Sequence, residues 1–135
     1  MKKKSRYIII IIIIGFSIST YFYLNSRYEK IDIFTAAGFA KDESSPISVT
    51  DRKTLIEISS IVKSSVKMDG IVNVVQPDYV LEFKSFPDKI RTIYLWLNKD
   101  SNKGMLMYKN KTETGYSISE ENAEKLKQIV LPLEN

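Results

Sequence analysis

Residues 7–24 carry no charge over 18 consecutive positions, and Ile8 to Ile14 make an unbroken run of isoleucine. In hydrocarbon each unpaired backbone group costs several kcal/mol, so such a run is stable there only as a helix. Its length lies at the short end of the roughly 17–25 residues that cross a bilayer. Isoleucine favours strands in water, but burial in lipid overrides that preference. Tyr21 and Tyr23 suit the far interface, and Asn25, Ser26 and Arg27 close the segment. Lys2, Lys3, Lys4 and Arg6 precede the run, whereas Arg27 and Lys30 follow it. The excess of positive charge on the first side places the N-terminus in the cytoplasm. The expectation is a basic tail over residues 1–6 and a transmembrane signal anchor over 7–24, with the lipid bilayer as its partner. A linker over 25–30 and an extracytoplasmic domain over 31–135 follow. The alternative is a cleaved signal peptide with Ser17 and Ser19 before the cut, which secretes the remainder. Gly15 and Ser19 form a small-xxx-small pair of the kind that lets two membrane helices approach closely, a spacing common in such helices.

The remaining stretch of about 110 residues has room for one domain with its own core. There is no Cys and no His. That excludes disulfides and thiolate metal sites, and removes the commonest general base and metal ligand. The net charge of +4 resides in the tail: Lys2, Lys3, Lys4 and Arg6 account for it, leaving 16 Lys and Arg against 16 Asp and Glu. A neutral domain is a poor nucleic-acid binder.

Periodicity predicts strands at 30–34, 47–50, 79–86, 91–98, 103–109 and 114–118. The 99–102 segment KDSN makes a hairpin connection between two of them. A first helix starts from a cap at Thr50 or Asp51 and carries Leu55, Ile58, Ile61, Val62 and Val66 at helical spacing. Ser119 caps a last helix with Glu120 and Glu121 in its first turn; Ala123, Leu126, Ile129 and Val130 share a face, and Pro132 follows. Strands and helices come in blocks without regular alternation. The predicted class is α+β: an antiparallel sheet of about five or six strands, covered on one face by two helices and preceded by the transmembrane helix.

No catalytic, cofactor-binding or metal-binding constellation stands out. Asp78, Glu82 and Asp88 are the nearest approach to the paired carboxylates of glycoside hydrolysis; turn chemistry and cross-strand pairing account for Asp78 and Glu82. Asp42, Glu43, Ser44 and Ser45 offer oxygens for Ca²⁺ without EF-hand spacing. Arg52 and Lys53 stand where an anion would meet free helix N–H groups, but Asp51 already supplies a carboxylate there. In the strand 91–98, Ile93, Leu95 and Leu97 point one way and Tyr94 and Trp96 the other. With Met105 and Tyr108 from a neighbouring strand, these two define a candidate binding face: Tyr94, Trp96, Met105 and Tyr108. Either that face binds a partner, or the loop 35–46 or the first strand folds over it as a second small core.

The succession SVTDRKTLIEI, GIVNVVQPDYVLEF, IYLWLN, GMLM and TGYSISEENAEKLKQIV resembles the YhfM-like domain over residues 31–133. Its most specific pieces are Pro77–Tyr79, the strand with Trp96, and Tyr116–Ser119. The resemblance implies a small extracytoplasmic protein of Bacillus-type bacteria, many of which are lipoproteins. This chain lacks the lipobox Cys. The family brings no assigned activity and no catalytic residues. The combined expectation is a non-enzymatic, membrane-anchored module of a Gram-positive envelope that binds an envelope or membrane protein. A small-molecule sensor is the alternative, and an envelope hydrolase stands last.

Overall fold

The structure is a computed structural model that describes residues 2–25, 27–44 and 46–134. In chain order the elements are α1 (Lys2–Asn25), β1 (Tyr28–Ala37), β2 (Ala40–Lys41), β3 (Ile47–Val49), α2 (Arg52–Ser64), β4 (Val66–Lys67), β5 (Tyr79–Ser85), β6 (Lys89–Leu97), β7 (Gly104–Tyr108), β8 (Tyr116–Ile118) and α3 (Glu120–Val130). A 3₁₀ turn, Leu131–Glu134, follows.

The strands build one eight-stranded sheet in the order β2-β1-β5-β6-β7-β8-β4, with β3 also paired to β1, and every pairing is antiparallel. The count exceeds the expected five or six because β2 and β4 are two-residue strands, too short to show any periodicity. β1 is longer than the predicted 30–34. It pairs with β3 on one side and β5 on the other, and its hairpin to β2 turns through Gly38 at φ 69, a conformation open to glycine at no steric cost.

One face of the sheet lies under α2 and α3. Ile31, Ile33, Leu81, Phe83, Ile93, Leu95 and Leu106 from the strands pack with Leu55, Ile58, Ile61, Leu126 and Val130 from the helices. Both helices begin on the caps their sequence supplies. Asp51 accepts the Thr54 N–H at 2.9 Å and Ser119 that of Asn122 at 3.3 Å. α2 stops at Ser64, where the hydroxyls of Ser64 and Ser65 bond back to the carbonyls of Ile61 and Val62. Val66, expected on the helix face, therefore lies in β4 and is exposed.

The expected membrane crossing is corrected. Among the described residues no helix is long and apolar enough to cross a membrane. The side chains of α1 are described from Tyr7 to Tyr21, 15 residues. The basic side chains expected at residues 1–6, and those of Tyr23, Leu24 and Ser26 at the far end, lie outside the described side chains. The single-pass placement with a cytoplasmic N-terminus rested on a spanning segment and falls with it.

Candidate functional site

Register decides which side chains meet. Trp96 stands opposite Met105, Tyr94 opposite Met107, and Ile93 opposite Tyr108. Directly paired residues share a face. Tyr94, Trp96 and Met105 thus lie on the face away from the helices, whereas Tyr108 lies on the helix side. The four predicted site residues do not form one surface.

On the outer face Phe34, Val80, Tyr94 and Met107 are buried, and Ala36, Val72, Val74 and Trp96 pack against them. The cover is not the loop 35–46 alone. Residues 71–77 run across as an extended strap, with Val72 and Val74 turned inward and Ile71 and Val75 outward. The Trp96 indole N–H is shared between the carbonyls of Val75 and Gln76, both at 3.0 Å. Phe39, from the β1–β2 turn, meets the Tyr94 ring edge-on at 5.6 Å. Tyr94 is thereby closed off from any partner.

Beside this cluster sits a charge network. Asp32 is buried, accepts from the Ser48 hydroxyl at 2.6 Å, and pairs with Lys84 at 2.7 Å and Lys30 at 3.0 Å. Burial alone raises its carboxyl, but the bonds from Lys84, Ser48 and Lys30 outweigh it and hold the pKa down at about 2. Lys41 bridges Glu82 at 3.1 Å and Glu43 at 3.2 Å, and stands 4.8 Å from the Phe34 ring centre. These groups neutralise one another and leave no free charge for chemistry.

The other sequence candidates have local roles. Asp78 accepts the Leu97 N–H at 2.7 Å, Glu82 belongs to the lysine network, and Asp88 sits in a turn at φ 62. Asp42 accepts the Ser44 N–H at 2.9 Å and Glu43 pairs with Lys41; Ser45 lies outside the described residues. Among the described residues no cluster of three acidic, His or Cys side chains could hold a metal. A Cβ at Gly15 would meet nothing within 4 Å beyond its own helix backbone and chain neighbours.

A cleft of about 750 Å³ opens elsewhere, at the end of the sheet where β6 begins and β7 ends. After Tyr108 the chain leaves the sheet in a tight turn. Lys109 N–H bonds to the Thr92 carbonyl at 3.1 Å, Lys111 N–H to that of Tyr108 at 2.8 Å, and Thr114 N–H to that of Lys111 at 3.1 Å. The turn holds Lys109, Asn110 and Lys111 over one wall. Arg91 stands 6.0 Å from the Tyr108 ring centre, and Tyr108 meets Tyr116 edge-on at 5.3 Å. Arg91, Lys109 and Lys111 bring three positive charges, and no carboxylate belongs to the lining. Burial pushes the Tyr108 phenol up, against the opposing pull of Arg91, so it stays a protonated donor at neutral pH.

Of these lining residues sequence reasoning reached only Tyr108, and assigned it to the wrong face. Strict alternation from Leu106, which is core, puts Tyr108 on the helix side with it; that signal was present. The spacing of Tyr108, Lys109, Lys111 and Tyr116 across one turn was the other.

An antiparallel sheet with two helices on one face, and a basic, tyrosine-walled cleft at its end, defines the class of protein as a small α+β domain. The sequence pattern of the family described as YhfM protein matches residues 26–132, and the chain belongs to that family. Among solved structures it is similar to a thioesterase-like protein from Clostridium sporogenes. The two share 22% identity with a TM-score of 0.55, over 78% of this chain and 96% of that one. A likeness at that identity establishes a shared fold. No curated protein matches the chain. The expectation of a membrane-anchored envelope module, with a sensor at the membrane's outer face as its alternative, is overturned. Among the described residues no helix is long and apolar enough to cross a membrane.

Proposed function

We propose that this domain binds a small anionic ligand, one with a ring or short apolar body, in the cleft between Arg91, Tyr108, Lys111 and Tyr116. The observation that carries the reading is the composition of that cleft. Three cations and two half-buried tyrosines line about 750 Å³ without a single acidic group. Cations around a concave site raise the local concentration of anions. An Arg fork matches carboxylate or phosphate geometry, and the Tyr edges accept a flat body. A cleft of that volume suits a ligand of ordinary metabolite size. The role proposed is binding, because the groups present are those that hold an anion.

The test is a titration of the full chain with phenyl phosphate and with benzoate, followed by the ring resonances of Tyr108 and Tyr116. Both rings should shift, with phenol, the neutral analogue, leaving them in place. Arg91→Ala should weaken binding at least ~10-fold, the loss expected for one charge-assisted hydrogen bond. Equal shifts with phenol, or an unchanged affinity in Arg91→Ala, would refute the reading.

One observation favours a second reading, hydrolysis of a thioester: the fold is shared with a protein named thioesterase-like. The same three cations would then hold a phosphate-bearing thiol carrier. Its measurement is thiol release from a short acyl thioester of coenzyme A. Release that Arg91→Ala slows would replace binding by catalysis as the cleft's task.

A further inference from the structure

A second cavity, about 350 Å³, lies across the sheet from the cleft, at the point where the strap leaves β4. Met68, Trp96 and Met105 line it, with Asn98, Lys103 and Ser117 around them. Trp96, Met105 and Ser117 form one row across β6, β7 and β8. Met68 is held beside that row by its backbone N–H, which bonds to the Gly115 carbonyl at 2.9 Å.

Glycine at 115 makes room for the two sulfurs. A Cβ there would stand 3.1 Å from Met105 Sδ and 3.2 Å from Met68 Sδ. Both sulfurs lie near that one point, so they are no more than about 6.3 Å apart. Their setting differs from that of Met107 in the same strand, which is fully buried at 0% exposure. Met68, Met105 and Trp96 are each half-buried, so solvent solutes reach them.

Two neutral thioethers offer nothing to a hard cation, which prefers oxygen ligands. They are donors for a soft one, and soft thioether ligands select Cu(I). An indole face adds attraction for a cation within about 6 Å. Methionine has three rotatable bonds, so the two sulfurs can close on an ion without moving the strands. Lys103, exposed at the rim, has its charge screened by water and salt. The chain has neither Cys nor His, so no stronger soft ligand competes within it.

We propose that Met68, Met105 and Trp96 form a binding site for a soft monovalent cation, Cu(I), with Ag(I) as its redox-inert equivalent. Binding joins Met68, at the root of the strap, to Met105 in the sheet, and so fastens the strap over the outer face. The site is separate from the anion cleft and stands or falls without it.

Trp96 is the sole tryptophan, so its fluorescence reports on this cavity alone. The experiment titrates silver nitrate, in chloride-free buffer, into the full-length protein carrying ¹³C-methyl methionine. Quenching of Trp96 should saturate at one ion per chain. The methyl signals of Met68 and Met105 should move together while that of Met107 stays still. Met68→Leu and Met105→Leu should each weaken the quenching at least ~10-fold, and Leu is close enough in volume to keep the packing. Stationary Met68 and Met105 methyls in the unaltered protein would overturn the site. So would quenching of equal affinity in the double variant.

Discussion

The sheet is closed on both faces, but by different means. Under α2 and α3 the cover is regular structure, and each helix satisfies its own backbone apart from its ends, which Asp51 and Ser119 cap. Over the other face the cover is an extended strap, a turn that carries Phe39, and a set of ion pairs. An extended strap has no internal hydrogen bonds, so its position depends on side chains of the sheet, chiefly the Trp96 indole. One face gains most of its stability from buried apolar area. The other combines a smaller apolar cluster with directional contacts that a single substitution can remove.

The largest effect should come from the helix side. Leu126 is 1% exposed and Ile58 0%, so truncation of either to Ala should cost about 2–5 kcal/mol. Val74→Ala in the strap should cost well under half as much, because Val74 is only partly buried. Urea unfolding measures both. Equal losses would mean that the two covers contribute alike, and the contrast drawn above would fail.

Next comes Asp32 on the outer face. Asp32→Asn leaves Lys30 and Lys84 without their shared carboxylate and should cost about 1–3 kcal/mol at neutral pH. The sign of its pH dependence follows from a folded pKa of about 2 against an ordinary 3.8. The contribution is fully present above about pH 4 and is lost as the pH falls through 2. The stability gap between the unaltered protein and Asp32→Asn should therefore narrow from pH 4 to pH 2. A gap that stays constant over that interval would show that Asp32 carries no shift.

Ser119→Ala tests the helix cover at its weakest point, the free N–H groups of α3. It should cost about 1 kcal/mol, the usual value for a lost N-cap, and chemical denaturation will register it. A change near zero would mean that Glu120 and Glu121, in the first turn, supply enough favourable charge to hold the helix start unaided.

The sequence speaks more clearly about one face than the other, for a physical reason. Helical spacing in α2 and α3, their caps, and the alternation of Ile93, Leu95 and Leu97 all arise from a single apolar boundary, and each was legible. The strap has the same kind of alternation, with Val72 and Val74 inward, yet it joins no strand. Periodicity reports which side of a segment is buried, not whether its backbone has a partner. Asp32 looks like an ordinary polar residue of a half-exposed strand, and its burial follows from Ser48, Lys30 and Lys84 arriving from β3, β1 and β5. The charge-free run at 7–24 was the loudest signal and misled most, because an uncharged isoleucine tract reads as a membrane span. The basic cleft gathers Arg91, Lys109 and Lys111 from β6 and the turn after β7, and such a gathering is a property of register.

The smallest expected effect is the most local. Trp96→Phe keeps a ring over the outer cluster but removes the N–H that Val75 and Gln76 share. A net loss of about 0.5–1 kcal/mol is expected, the worth of an ordinary hydrogen bond once water has replaced it. The distribution of that loss matters more than its size. Amide hydrogen exchange should quicken in residues 71–76 and at Phe39, while the amides of α2 and α3 keep their unaltered rates. Segments that open alone do so with less than the global free energy, and the strap is the segment here with the fewest backbone ties. Uniform quickening across the domain would show instead that the outer cover and the helix cover unfold as one unit.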